Sequence, residues 1–356
     1  MNIYLSEKIK TISFFAMISV VYIHSYNFEL IMDSQLNMVT TTKGYSTFIQ
    51  LFLSFGLTRI AVPFFFIFSG FLFFLNVNGS NSEFLSKIKK RFKTLLVPFL
   101  LWSSWGLLFY LILQSIPQFT NFFTNKLVIN YSLTEWLSTL FINPIAPQLW
   151  FLRDLFVLIL LSPLIYFLVK KLNYFILLLL LIPWLFKINL MVSNEAVLFF
   201  TFGAFLSTYK KTVIYVDFSK NALIFFIAWL ILVLIKTILQ YQNFEYHLIT
   251  NLIHKLSIII GIVAIWCMYD KYKHIFVFKN KYIILLTTLS FFLFAFHEPF
   301  LTVYKKLLLF GFGKNGWASI TTYFLAPIFT IINGVFVASI LKKYLSSFYA
   351  LLNGGR

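Results

Sequence analysis

The sequence predicts an all-α, polytopic integral membrane protein of about ten transmembrane helices. Three observations carry that expectation. Of 356 residues, 60% are hydrophobic and only 11% charged, less than half of the roughly 25% charged residues of an ordinary soluble domain. Apolar runs recur along nearly the whole length, among them Ile12–Ile23, Val62–Leu75, Phe156–Val169, Phe175–Ile182 and Ile283–Phe296, and a helix needs about 20 such residues to cross the hydrocarbon core. The 29 Lys and Arg against 11 Asp and Glu, a net charge of +18, fall mostly between the runs, as the excess of basic residues on the cytoplasmic side requires. A soluble enzyme, a nucleic-acid binder and a disordered chain are excluded. Cys267 is the single cysteine, which leaves no disulfide framework and no thiolate metal cluster.

Taken in order, the runs place spans at residues 9–28, 48–75, 94–116, 149–169, 172–187, 194–209, 221–240, 250–268, 282–300 and 317–341. The first is longer than a signal-peptide core, carries a histidine and lacks a small-residue cleavage site. The second exceeds one crossing, so residues 48–57 are read as surface-lying or re-entrant. The fifth is short and interrupted by Pro183. With the N-terminus inside, nineteen basic residues fall on the inner side, including Lys8, Lys10, the cluster Lys87, Lys89, Lys90, Arg91 and Lys93, and Arg356. Eight fall outside, among them Lys126, Lys236, Lys255, Lys305 and Lys306. This bias predicts N-in and C-in termini, an even span count, a single transmembrane domain over 1–345 and a short cytoplasmic tail over 346–356. The outer connection near 117–148 is aromatic and Asn-rich, suited to cover an outward-facing site.

An ionisable group inside a membrane helix costs several kcal/mol unless it is paired or faces water, so each is a candidate for function. The candidates are His24, Arg59, Arg153, Asp154, His297 and Glu298. His24 lies fourteen residues beyond Lys10, about 21 Å along the helix, in the outer half of the bilayer. The same reading puts Arg59, the Arg153–Asp154 pair and Glu298 at outer span ends, so several positions converge at one depth. Pro63 cannot donate to the Arg59 carbonyl, which predicts a kink there. Ser69 and Gly70 leave a small-residue gap deeper in, for another backbone or a thin ligand. Pro299 biases Glu298 out of helical geometry. Trp150 shares a helix face with Arg153 and Asp154, which themselves diverge. Plain structural readings compete: Trp150 as an aromatic-belt anchor, Arg153 as a snorkelling cation with Asp154 as its counter-ion, His24 as a core histidine, and the Lys87–Lys93 cluster as a topology signal.

The segments VVYIHSY, RIAVPFFFIFSGFLFF, RFKTLLVPFLLW, QLWFLRDLFVLILLSPLIYFL and SFFLFAFHEPF resemble, in order, those of the bacterial membrane acyltransferase-three family, which O-acylates cell-envelope polysaccharides. The resemblance implies a ten-helix domain in the cytoplasmic membrane, a cytoplasmic acyl-CoA donor such as acetyl-CoA, and a saccharide acceptor outside. The family's arginine eleven positions before the histidine is Ser13 here, and Lys10 is the substitute charge. The absence of a hydrolase-like segment after the last span implies the stand-alone form.

On this reading His24 is the general base for the sugar hydroxyl and Glu298 its orienting or charge-stabilising partner. Arg59, Trp150, Arg153, Asp154 and His297 form the oxyanion or acceptor site. Ser69 borders the path of the pantetheine arm, and Lys87, Lys89, Lys90, Arg91 and Lys93 hold the nucleotide phosphates. An acetyl-histidine relay is the alternative chemistry. A lipid-linked-sugar transporter or a polysaccharide polymerase also remains open. The first would show internal repeat symmetry, the second arginines in large outer loops, and neither would bind acetyl-CoA.

Overall fold

The structure, a computed structural model, describes residues 3–27, 44–117, 123, 126–188, 192–209, 212–243, 246–275, 281–313 and 315–355, the side chains of 281–283 excepted. Residue 28 of the first expected span, several of the basic residues used for orientation (Lys43, Lys210, Lys211, Lys279, Lys314), and Arg356 lie outside the described residues. All regular structure among the described residues is helical. The first part of the bundle is α1 (Ile3–Ser25), the long rod α2 (Tyr45–Phe74), the long rod α3 (Asn81–Ser115) and the short helix α4 (Leu133–Phe141). Then come α5 (Trp150–Leu160), α6 (Ser162–Leu172), α7 (Phe175–Phe186) and α8 (Asn194–Tyr209). The chain continues through α9 (Ala222–Tyr241), α10 (His247–Tyr272), α11 (Lys281–Thr288), α12 (Ser290–Phe312), α13 (Gly316–Tyr344) and α14 (Ser346–Leu352).

By length and composition α2, α3, α10, α13 and the segment Ser219–Tyr241 can each cross a membrane, and the bent pair formed by Pro147–Leu160 and α6 is a sixth candidate. The chain is therefore a multi-pass membrane protein. The expected fourth span is not one straight helix. It bends by 65° at Leu161, where Pro163 in the first turn of α6 removes a backbone donor. The ninth does not stop at Glu298 either: α12 runs on to Phe312.

Residues 48–57 do not lie along the outer surface. They belong to α2, with Gln50 and Ser54 fully buried against neighbouring helices. The irregularity near Arg59 is a π-turn over Leu51–Gly56 followed by a 3-10 turn over Leu57–Ile60, and α-helix resumes at Ala61, before Pro63. A proline two residues into a helix needs no intrahelical donor, so the strain falls upstream of it. Lys87–Lys93 are likewise not a loop but turns of α3, through Asn81–Arg91 and the π-turn Phe92–Leu96.

The gap at Gly70 is occupied by protein. A Cβ there would stand 2.1 Å from the Phe200 carbonyl oxygen, and one at Gly203 would stand 2.2 Å from that of Ile67. The backbones of α2 and α8 thus cross in direct contact, as small residues allow between membrane helices. The tail is folded too. Tyr349 and Leu352 are buried, the Trp102 indole N–H donates to Leu352 O at 3.1 Å, and Gly354 at φ +65° lies against the Thr94 backbone.

Candidate active site

A helix that ends inside a protein leaves its last carbonyls without partners, and these need donors from elsewhere. At the end of α1 they find them. Ser54 of α2 donates to Tyr22 O at 2.6 Å, and Lys305 of α12 donates to His24 O at 2.7 Å and Tyr26 O at 3.3 Å. Beyond the helix, Asn27, Gln50 and Ser319 bond one another at 2.7–3.1 Å. His24 is therefore held in place by its backbone. Its side chain stays partly accessible and makes no hydrogen bond among the described residues. A cation beside the C-terminus of α1 also complements the helix dipole.

The other half of the site comes from a break in α12. Pro299 has no N–H for the Ala295 carbonyl, and Glu298 takes up φ −100°, ψ 136°. Gln148, just before α5, fills the vacancy: its Nε2 donates to Ala295 O at 3.0 Å and reaches Glu298 O at 3.5 Å. The break turns His297 toward α1, with the two imidazole centroids 5.5 Å apart. His297 Nδ1 lies 2.6 Å from Phe294 O. A carbonyl only accepts, so Nδ1 carries the proton and Nε2 the lone pair. That Nε2 is buried and unpartnered, as is Gln148 Oε1. Glu298 is 5% exposed, and its carboxylate accepts from Thr302 N–H at 3.3 Å. Lys305 is the cation acting on it.

Arg59 approaches this group from α2. Its Nε donates to Ser54 O at 3.1 Å, its guanidinium stacks 4.7 Å from the Phe55 ring, and its charge, with that of Lys305, acts on His24. The structure thus brings His24, His297 and Glu298 together near Lys305, with Arg59 within electrostatic reach of His24. It engages the remaining expected residues elsewhere. Arg153 and Asp154 do not diverge; adjacent in the first turn of α5, they pair at 2.7 Å. Arg153 further donates to Ile142 O at 2.5 Å, and Asp154 accepts from Ser193 N–H at 2.9 Å, so the pair ties α5 to two loops. Trp150 packs on Phe66 with ring centroids 6.1 Å apart. Ser69 is partly buried beside the α2–α8 crossing. Lys87 donates to Phe73 O at 2.7 Å and so caps α2, whereas Lys89, Lys90 and Lys93 are exposed and Arg91 is partly buried. Lys10 is exposed; Lys8 is the buried cation of α1, 2.5 Å from Asp270 and 3.7 Å from the Trp266 ring.

Lys305 and Gln148 were not among the expected site residues. Nor was a second buried polar group, in which Lys255 approaches Glu195 at 3.9 Å, Lys236 donates to Phe55 O, and Glu195 lies within electrostatic reach of Arg59. Lys236, Lys255 and Lys305, counted as outer surface charges from sequence, are 3%, 9% and 8% exposed. Lysine on a long apolar stem follows the nearest carbonyl or carboxylate inward when water is scarce.

The helix α4 opens with a capping box from Ser132 and Glu135. The Lys126 ammonium at 2.8 Å and the Ser132 N–H hold the Glu135 carboxyl down at about 2. Glu135 therefore keeps its charge at any physiological pH.

A family model described as an acyltransferase domain matches residues 9–339. The chain is also 28% identical over 323 residues to the succinoglycan biosynthesis protein ExoH of Rhizobium meliloti (strain 1021), covering 88% of this chain and 84% of that protein. No solved structure matches it significantly.

Proposed function

The chain belongs to the acyltransferase-three family and is a membrane O-acyltransferase, and from that premise we propose that it moves an acetyl group from cytoplasmic acetyl-CoA to a hydroxyl of an envelope saccharide on the outer side of the cytoplasmic membrane. The observation that carries this reading is the facing pair His24 and His297 beside the buried Glu298 at the break of α12. His24 is the partly accessible imidazole of the pair and so the one that meets substrate. It takes the proton of the acceptor hydroxyl as the oxygen attacks the thioester carbon. The tetrahedral intermediate then collapses, the carbon–sulfur bond breaks, and the proton passes from His24 to the departing CoA thiolate. Arg59 has terminal guanidinium nitrogens without hydrogen bonds to the described residues and suits the developing oxyanion. The Glu298 carboxylate, itself held charged by Lys305, balances the positive charge that forms on the imidazole. Relatedness to a succinoglycan biosynthesis protein favours a polysaccharide acceptor.

The test is transfer itself. Protein reconstituted in bilayers with labelled acetyl-CoA should place label on envelope polysaccharide isolated from cells lacking the protein; no transfer from acetyl-CoA removes the donor assignment. Lys89, Lys90 and Arg91, taken as the nucleotide-phosphate site, are tested in the same assay. Neutralising the three together should raise KM for acetyl-CoA about tenfold or more with a smaller fall in kcat, because they would touch a non-reacting part of the donor. An unchanged donor KM leaves the cluster a topology signal. Lys87 is left in place because it caps α2.

The orientation has its own check. With N-in and C-in termini, Asn130→Cys, exposed in the outer connection, should react with an impermeant maleimide on intact cells, and Lys90→Cys only after lysis. The native Cys267 is buried and gives little background. The opposite labelling pattern inverts the topology.

A further inference from the structure

Between the last turns of α3, residues Phe123 and 126–131, and the part of α12 beyond Glu298 lies a cavity of about 580 Å³, within the roughly 300–1,000 Å³ of small-molecule sites. Phe109, Tyr110, Phe123, Tyr131 and Phe310 line it. Lys126 and Lys306 line it too, side by side with polar wall residues, of which Tyr110, Gln114 and Thr302 bear on its occupant. Gln114 accepts from Val128 N–H through Oε1 at 2.8 Å, which fixes the amide. Its N–H₂ donors have no hydrogen-bond partner among the described residues. The Tyr110 hydroxyl also lacks one among the described residues, and Tyr110 lies within electrostatic reach of Glu298. Thr302 lines the cavity and donates its backbone N–H to Glu298 Oε2 at 3.3 Å. The cavity is thus separated from the catalytic carboxylate by one residue.

These features select among occupants. A lipid tail gains nothing from an oriented amide or a free phenol. A pyranose ring uses both, together with aromatic faces against its C–H surfaces, since rings with an apolar body and a polar edge are what Tyr-rich walls accommodate. An occupant on the Tyr110 and Thr302 side also faces the residues that would activate its hydroxyl. Building on the proposed acyl transfer, we infer that this cavity is the acceptor subsite: it seats a sugar ring of the envelope saccharide, with Tyr110 and Gln114 hydrogen-bonding its hydroxyls and Thr302 marking the side on which the acylated hydroxyl meets Glu298 and His24. Tyr110 and Gln114 are then specificity-determining residues for the acceptor.

The experiment measures initial transfer rates in lipid nanodiscs, with labelled acetyl-CoA and, as acceptor, the polysaccharide of cells lacking the protein. Each of Tyr110→Phe and Gln114→Ala removes one hydrogen bond and should raise acceptor KM about three- to tenfold, and the double variant more than tenfold. Donor KM should move less than about threefold. Gln114→Ala also frees the Val128 N–H, so Tyr110→Phe, which keeps the ring and its packing, decides if the former variant fails to fold. Acceptor KM within about twofold of wild type in Tyr110→Phe and the double variant overturns the subsite and leaves the cavity a lipid groove. A wild-type protein that transfers no label to any saccharide overturns the proposed function instead, so the two failures are distinct.

Discussion

His24→Gln should lower acyl transfer by about 10²- to 10⁴-fold, the loss expected when a general base is removed. Glutamine keeps the bulk and hydrogen-bonding capacity of the side chain but cannot accept the proton. The position should tolerate it structurally, because α1 is held at His24 through the backbone oxygen that Lys305 binds and not through the ring. Thermal stability and acetyl-CoA binding should therefore stay near wild type while kcat falls. His24→Ala should fail equally. Glu298→Gln should be milder if the carboxylate only balances the imidazolium, and as severe as His24→Gln if it takes the proton. Near-wild-type turnover in His24→Gln would move the base to His297, whose Nε2 lone pair is buried in the same group, or to Glu298. Steady-state rates of purified variants in bilayers, with donor binding measured in parallel, decide among the three.

Gly70→Val should abolish the folded protein, and Gly70→Ala should destabilise it by about 1–3 kcal/mol or more, the range for overpacking a filled site. The neighbour of the added Cβ is the Phe200 carbonyl oxygen at 2.1 Å. Backbone cannot rotate aside as a side chain does, so α2 and α8 must separate along their whole crossing. Gly203→Ala meets the reciprocal contact at the Ile67 carbonyl and should behave alike. Gly311→Ala, with nothing within 4 Å of the new Cβ, is the matched control. Melting temperature and monodispersity in detergent read the effect. A Gly70→Ala protein that melts with wild type would show that the two helices are not in contact there.

The sequence by itself determined the class of the protein and the chemistry it carries. Apolar runs at bilayer length and the scarcity of charge were enough for a helical membrane protein, because hydropathy acts locally and is read residue by residue; the acyltransferase assignment came from the family resemblance of the ordered motifs, which the family match bears out. The local settings of His24 and Glu298 were legible for the same reason: one lies in the last turn of α1, as its distance along the helix requires, and the other at the break that the following proline imposes. Most helix positions followed too, from 194–209 onward to 317–341 within a few residues, apart from the broken ninth. What the tertiary structure alone decided is which polar groups meet. Lys305 lies 281 residues from the His24 carbonyl it binds, and Gln148 lies 147 residues from the Ala295 carbonyl that Pro299 sets free. Sequence shows that a proline frees a carbonyl but not which donor fills it. It shows a lysine near a span end but not that the side chain turns inward, as Lys8, Lys236 and Lys255 do. Arg153 and Asp154 look like site residues by type and depth, yet the fold uses their charges to bind Ile142 and Ser193. The role of a charge in a membrane bundle is set by the partner that offsets its desolvation, and that partner is brought to it only by helices far apart in the chain.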